Sequence, residues 1–535
     1  MTTMNEAAVG GNVSHANGVE VDGEILFFTD FNYMFPNLAR KDAHLIKNPN
    51  SADTAQLLVD LGECMFELED LDDPAIFDSD TEAVFTYLGQ FIDHDLTART
   101  DRETDRPPKS SGPAKPLSHI DPPEDVEPID PDEIVAVLKN ARRPQFDLDS
   151  VYADGPLMVD SQGHQGHGAT VAERFGLFTS NRRLRLTKLG PQQIDIPRVS
   201  SGERLGRSVI ADGRNDENLN ISQLHAAFIS FHNAVADALP ASLSSAQRYA
   251  RARQLVRWAY QYIVIEEYLR KVCADGVVSD TLANGPRYYG HSAGGSASFM
   301  PLEFSVAAFR FGHTMVRPTY DVNSSVNLAI DDILFPGRTD LPRRQNEQFL
   351  DGNGRLKSKF AIDWNFYAPG GASVQQARRF DIQLAKGLGN LTFEDTTFDA
   401  LKMLPVRNLL RGFSLSIPTG QAIACAMGIE PISPSLLNPE SSPALTKILK
   451  KNDFLTRTPL FYYILREAMV HSSGKTLGAM GSRLVCETIV GLMKSNPNSY
   501  MNNRHDNAVQ FDGIQVAPGT KIRSISDLLR FAGVF

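Results

Sequence analysis

The chain has 535 residues, 42% of them hydrophobic and 22% charged, with a formal net charge of -11. This is an ordinary globular composition, long enough to enclose a cofactor in a core, whether as one large catalytic domain with insertions or as roughly two to four domains. The acidic balance argues against a nucleic-acid footprint, which needs a basic surplus to neutralise phosphates, and against adhesion to anionic membranes.

Cys64, Cys273, Cys425 and Cys486 are far apart and form no CxxC pair, so neither a zinc site nor a disulfide framework is expected and the thiols read as free and mostly buried. The N-terminal MTTMNEAAVGGNVSHANG is polar and lacks a basic stretch followed by an apolar one, so no secretory signal is readable. No run of about 18 apolar residues suggests a membrane span. A cytoplasmic chain and leaderless export both fit.

In chain order, residues 1–24 read as a flexible leader and residues 25–535 as the folded part. YLGQFIDHDLT, residues 87–97, comes first among the chemical motifs. On a helix Gln90 and His94 share a face, Asp93 lies near it, and Asp95 points about 100° away from His94. The plainer reading is a polar helix whose histidine completes a hydrogen-bond network. Residues 106–131, rich in proline and acid, read as a surface excursion, because core-like sequence resumes on both sides. RPQFDLDSVYADG, residues 143–155, puts Asp147 and Asp149 alternately across a tight loop. Hard oxygen ligands at that spacing suit calcium, though the EF-hand pattern is missing. GHQGH holds His164 and His167 with no glutamate between them and no clear third ligand, so these read as loop histidines rather than a zinc site.

In ADGRNDENL, residues 211–219, Arg214 and Glu217 are three apart and can face one cavity if a helix begins here, with Asp212 as its cap; a surface ion pair is the alternative. Leu224, Phe228, Phe231 and Val235 then mark one apolar face of a helix over Asn218–Leu239. Leu255, Trp258, Tyr262, Ile265 and Leu269 do the same over Ser244–Val272. FRFGHTMVRP, residues 309–318, sets His313 after a glycine in an aromatic context, as an axial haem ligand needs, although a core histidine has the same look. In PVRNLLRGFSLSIPTGQ, residues 405–421, Asn408 and Arg411 are three apart and share a helical face. Alternating strand runs are few, and the fold class expected is mainly α, with helices wrapped around a buried cofactor.

GQFIDHD, DLDSVY, Arg214-x-x-Glu217 before a helix carrying FHNAVAD, FRFGHT and RNLLRG follow one another in the order seen in the peroxidase–cyclooxygenase superfamily. Over roughly residues 30 to 530 the chain resembles its animal-type haem peroxidases, in particular the bacterial, lactoperoxidase-like members. The resemblance implies one large helical haem-peroxidase domain with few short strands. It implies a haem between His94, as distal base, and His313, as the proximal ligand of the iron. Gln90 would be the hydrogen-bonded neighbour of His94, Arg214 the distal arginine, and Asn408 the acceptor of a hydrogen bond from the other nitrogen of His313. Arg310 and Arg411 resemble the arginines near the haem propionates, and Asp93 and Glu217 the carboxylates ester-linked to haem methyls. Asp95, Asp147 and Asp149 resemble the family's calcium ligands, completed by backbone carbonyls or by position 143, where relatives often carry threonine and this chain has Arg143. Asn218 stands where halide-specialised relatives place a methionine, so no third, sulfonium haem link is expected and chloride oxidation is disfavoured.

The activity implied is reduction of hydrogen peroxide with oxidation of small anions (bromide, iodide, thiocyanate) or phenolic donors through a ferryl intermediate, with no nucleic-acid partner. Two other readings compete. A fatty-acid dioxygenase of the superfamily carries a tyrosine three residues before the proximal histidine; here Arg310 stands there, and Tyr320 lies on the wrong side of His313. A non-catalytic, adhesion-type homologue would not need His94, Arg214, His313 and Asn408 together.

Overall fold

The computed structural model describes residues 29–67, 74–97, 123–140, 142–152, 179, 182–202, 205–290, 298–334, 348–391, 398–439 and 442–535, with strand pairs at 20–21/24–25 and 158–159/165–166. His164, His167, most of the expected leader and residues 106–122 lie outside the described residues. The end of the expected surface excursion is not superficial. Residues 123–125 form a helical turn, Val126 is fully buried, and the Ile129 amide donates to the Ser414 carbonyl. The apolar Val126 and Ile129 interrupt the acidic run and anchor it to the core.

The architecture is mainly α. Its principal helices are α1 (Ser51–Glu63), α2 (Val84–Leu96), α3 (Leu219–Ala238), α4 (Ser245–Ile263), α5 (Leu404–Ser414), α6 (Leu460–Ser472) and α7 (Ala479–Ser495). The two helices expected from apolar periodicity are there. Asn218 caps α3 by accepting from the Ile221 amide at 2.8 Å, and Ser244 with Gln247 closes a capping box on α4. The helix expected over Ser244–Val272 continues beyond α4 through one π-helical turn, Val264–Tyr268, into Leu269–Val272. The described sheets are small. Thr29–Asn32 pairs parallel with Met300–Pro301 and antiparallel with Lys139–Asn140, and a hairpin joins Thr319–Asn323 to Val326–Ala329.

The core behind α2 is aromatic. Phe91 stacks on Phe228 of α3 at 4.6 Å, and Tyr260 of α4 meets both rings edge-on at 6.2 and 5.8 Å. Helices α1 and α5 touch nearly backbone to backbone. A Cβ on Gly62 would fall 2.8 Å from the Val406 amide nitrogen, so only glycine fits. The segment carrying His313 is irregular: a π-turn, Glu303–Ala307, runs into a 3-10 stretch, Ala308–Met315. Buried Glu303 pins it by accepting from the Met34 and Phe35 amides at 2.8 and 3.0 Å. All four cysteines are unbridged, but only Cys273 and Cys486 are buried; Cys425 is exposed. Among the described residues no helix is long and apolar enough to cross a membrane.

Candidate active site

A cleft of about 1160 Å³, counting its mouth, lies between α2, the start of α3, the 3-10 stretch around His313 and the start of α5. Its polar lining includes Gln90, Asp93, His94, Arg214, Glu217, Asn218, Arg310, His313 and Arg407; its apolar wall includes Tyr268, Phe309, Val316, Ile330, Leu334, Leu388, Leu391 and Leu404. Two histidines distant in sequence therefore face one mostly apolar space, as a large flat cofactor requires.

His94 sits at the buried end of α2. Its Nδ1 lies 2.8 Å from Asn215 Oδ1. Burial first, and then the Arg214 guanidinium, lower its pKa and favour the neutral imidazole. Arg214 follows the cap foreseen at Asp212, whose Oδ1 accepts from the Arg214 amide at 3.0 Å, although the element is a 3-10 turn, Gly213–Asp216, rather than a helix. The Arg214 side chain is fixed at both ends. Nη1 donates to the Thr97 carbonyl and Nη2 to the His94 carbonyl, each at 2.8 Å, and Nη2 also pairs with Asp212 at 2.8 Å. Burial would raise the Asp212 carboxyl, but Arg142 and Arg214 hold it well below the usual carboxylate range.

Several expected contacts differ in detail. Gln90 shares the cavity with His94, but its Oε1 accepts from Asn218 Nδ2 at 3.0 Å. Asn218 thus serves as helix cap and as a tether for Gln90. Asp93 accepts from Thr97 Oγ1 at 2.8 Å and pairs with Arg310 Nη1 at 3.1 Å, while Arg310 Nε donates to the Ser305 carbonyl. Glu217 is half-buried on the cavity wall. Arg411, the second arginine expected beside the cofactor, is buried and does not line the cavity; Arg407, one turn earlier on α5, does. One turn of helix keeps two residues on the same side, so the sequence alone does not separate them.

Half-buried His313 lies with Nδ1 3.0 Å from the side-chain amide of Asn408. As placed, Asn408 Nδ2 donates, the reverse of the expected direction. The two ends of an amide are nearly isosteric. Rotation about the terminal bond sets Oδ1 in the same place, and that is the orientation in which His313 Nδ1–H donates and Nε2 keeps its lone pair.

Asp95, Asp147 and Asp149 converge, each with a carboxylate oxygen within 4.8 Å of the others. Phe146 and Leu148, on either side of Asp147, have φ of 55° and 56°, a strained conformation for large residues. Asp147 Oδ1 and Asp149 Oδ1 are buried without a hydrogen-bond partner, and Asp95 is buried beside the Leu148 amide and the Tyr260 hydroxyl. Burial, and then Asp149 and Asp147, push the Asp95 carboxyl well up, and Asp149 is pushed up to about 7 by burial and Asp147 against the pull of Arg142. Carboxylates in this state fit a hard cation, which would take the place of the missing partners. Arg143 is not a ligand: its guanidinium pairs with Asp147 at 2.8 Å. Arg142 bridges the cluster to the cavity, contacting Asp149 at 3.4 Å and also pairing with Asp212.

Comparison with known proteins shows what the chain is similar to. Residues 172–412 match the family model described as animal haem peroxidase. Human thyroid peroxidase is 28% identical over 186 residues, 32% of this chain and 19% of its own. Peroxidase A from Dictyostelium discoideum superposes with a TM-score of 0.57 at 18% identity, over 98% of both chains. The likeness to the animal haem peroxidases thus covers residues 172–412, the segment that holds Arg214, Glu217, His313 and Asn408. The chain spans less than half the length of the curated relatives it matches. A fatty acid alpha-dioxygenase of Arabidopsis thaliana shares the fold, with a TM-score of 0.55 at 12% identity over 90% of this chain and 75% of its own. The shared fold accounts for the mainly α architecture, while the side chains decide the reaction.

Sequence reasoning missed Asn215, His225, Arg407 and the cavity-lining Tyr268. Asn215 and His225 had no signal beyond their polarity in segments otherwise assigned to helix or cap. Tyr268 falls on the π-turn, where a 3.6-residue period no longer reports which way a side chain faces.

Proposed function

We propose that this protein is a haem peroxidase that reduces hydrogen peroxide and oxidises small anions such as bromide, iodide and thiocyanate, or phenolic donors. The observation that carries the reading is the shared cavity: His94 and His313 line it together with Arg214, Gln90 and an apolar wall. His313 would bond the iron and Asn408 would orient its ring, a neutral partner that leaves the imidazole less electron-rich than a carboxylate would. Arg310 and Arg407 would face the haem edge, with Arg411 behind them. Asp93 and Glu217 would form the two ester links. Asp95, Asp147 and Asp149 would hold calcium and tie α2 to the loop at 146–148.

When bound, the haem would supply the store for the two oxidising equivalents that peroxide delivers, for release to the donor. The chain's contribution is proton handling and charge. Neutral His94 takes a proton from one peroxide oxygen and returns it to the other, and Arg214 stabilises charge on the departing oxygen. The fixed guanidinium needs little reorganisation, and a single such donor contributes ~2.7–4 kcal/mol in comparable sites.

A specific observation weighs against fatty-acid oxygenation. Position 310 is an arginine paired with Asp93, and Tyr320 is buried outside the cavity lining, stacked on Tyr367 at 5.8 Å. The test is turnover of the purified holoprotein with peroxide against bromide, iodide, thiocyanate and phenols, with linoleate as control. A Soret band that responds to peroxide and disappears in His313→Ala is expected. A colourless protein after supply of haemin, or a spectrum unaffected by that substitution, would overturn the reading.

A further inference from the structure

We propose that Asn215 and His225 are positioning residues that lock His94 in the tautomer carrying its proton on Nδ1, leaving the Nε2 lone pair for substrate. The three side chains form a buried line from three elements: His94 on α2, Asn215 in the 3-10 turn and His225 on α3. His94 Nδ1 lies 2.8 Å from Asn215 Oδ1, and Asn215 Nδ2 lies 2.9 Å from His225 Nδ1. Their exposures are 5%, 0% and 1%, so bulk water does not compete for these contacts.

The chemistry of an amide fixes the direction of each bond. A carbonyl oxygen has no proton and only accepts, so His94 Nδ1 donates. The amide nitrogen has no available lone pair and only donates, so His225 Nδ1 accepts. A neutral ring carries one proton; with it on Nδ1, Nε2 is the basic atom. Turning the Asn215 amide over would reverse both bonds and put the His94 proton on Nε2. His225 opposes that reversal while its own proton sits on Nε2, and burial keeps the ring neutral with one nitrogen free to accept, since its pKa is pushed down to about 3. Phe91, edge-on to His225 at 6.2 Å, holds that ring in place. The tautomer of the base is thus decided two side chains away from the cavity, since neither Asn215 nor His225 lines it.

The consequence for catalysis rests on the peroxidase reading of His94; the tautomer itself does not. The test therefore has two readouts on the full chain. Nitrogen-15 NMR of histidine-labelled protein, recorded as the diamagnetic ferrous carbonyl form where haem is bound, reports which ring nitrogen of His94 carries hydrogen. The wild type is expected to show Nδ1–H. Asn215→Leu and His225→Leu are expected to mix the tautomers. His225→Asn, which puts a carbonyl oxygen where Nδ1 stood, is expected to restore Nδ1–H. An Nε2–H signal in the wild type, or an unmixed Nδ1–H signal in Asn215→Leu, would overturn the proposal, and the wild-type measurement decides even if a variant does not fold. In the second readout, the rate of reaction with peroxide should fall about tenfold or more in Asn215→Leu, toward the ~10²–10⁴-fold worth of a general base, and recover in His225→Asn relative to His225→Leu. Rates that ignore a changed tautomer would refute the catalytic consequence. A protein that binds no haem but shows the fixed tautomer would refute the peroxidase reading alone.

Discussion

Arg214 donates from Nη2 to the main-chain carbonyl of His94 at 2.8 Å. The two side chains assigned to one peroxide molecule are thus registered through the backbone at the last turn of α2, and Asp212 holds the other edge of the guanidinium. Lysine has the charge but not the planar fork that reaches both carbonyls and Asp212 at once. Arg214→Lys is therefore expected to slow the reaction with peroxide by about 10²–10³-fold, the cost of one lost oxyanion-type donor, with little change in the Soret spectrum. Stopped-flow spectroscopy measures it, and a rate within threefold of wild type would contradict the role.

The carboxylate cluster makes a second prediction. With calcium at Asp95, Asp147 and Asp149, chelation should lower Tm by several degrees, and added calcium should restore it, because a cation bound only by the folded state stabilises that state. Asp95→Asn should lower Tm and abolish the response to chelator. The route Asp149–Arg142–Asp212–Arg214 adds that chelation should slow the peroxide reaction before the helices melt. Identical Tm and rate with and without chelator would remove calcium from the account.

How much of this was legible depended on the kind of signal. Helices α3 and α4 were readable because their apolar residues recur at 3.6-residue spacing, and Asp212, Arg214 and Glu217 because capping chemistry is local. The fate of residues 123–131 was not, since two apolar residues in an acidic run carry no period. The choice between Arg407 and Arg411 was hidden for a different reason: both are on the buried side of α5, and only the tertiary placement of the helix decides which reaches the cavity. The His94–Asn215–His225 line joins residues 121 and 10 apart, and such pairings are set by packing rather than by any local pattern.

The two carboxylates on the cavity wall can be separated chemically. If both ester links form, acid–acetone extraction after peroxide treatment should leave haem on the protein, and mass analysis should place it on the peptides holding Asp93 and Glu217. Asp93→Asn and Glu217→Gln should each release one link, and the double variant should give up all its haem. Full release from the wild type would refute the ester proposal.

Asn408 tunes the metal in the proposed reading. Asn408→Asp would place a negative charge beside His313 Nδ1, make the imidazole a stronger donor and stabilise the ferric state. The Fe(III)/Fe(II) potential is expected to fall, with slower oxidation of bromide and less effect on phenols. Redox titration of wild type and variant tests this, and an equal or higher potential in the variant would refute it.

Two buried histidines outside the cavity contribute to the behaviour in acid. Burial pushes both His225 and His232 down to about 3, against about 6.5 for an unfolded histidine. Below pH 6.5 these two rings bind protons in the unfolded chain but not in the folded one, so their contribution to stability falls as pH falls and is recovered as pH rises back through that window. Each ring contributes a slope of about 1.4 kcal/mol per pH unit between the folded and unfolded values. His232 is the better probe, because it does not line the cavity: its Nδ1 shares a hydrogen bond with the Tyr152 hydroxyl at 3.0 Å and its Nε2 is buried without a partner. His232→Asn keeps an acceptor for Tyr152 but cannot take up the proton. Its Tm should therefore decline less steeply than that of wild type between pH 6.5 and 4.5, whatever the offset at neutral pH. Parallel Tm profiles would show that His232 is charged in the folded protein and that the pocket holding it admits water.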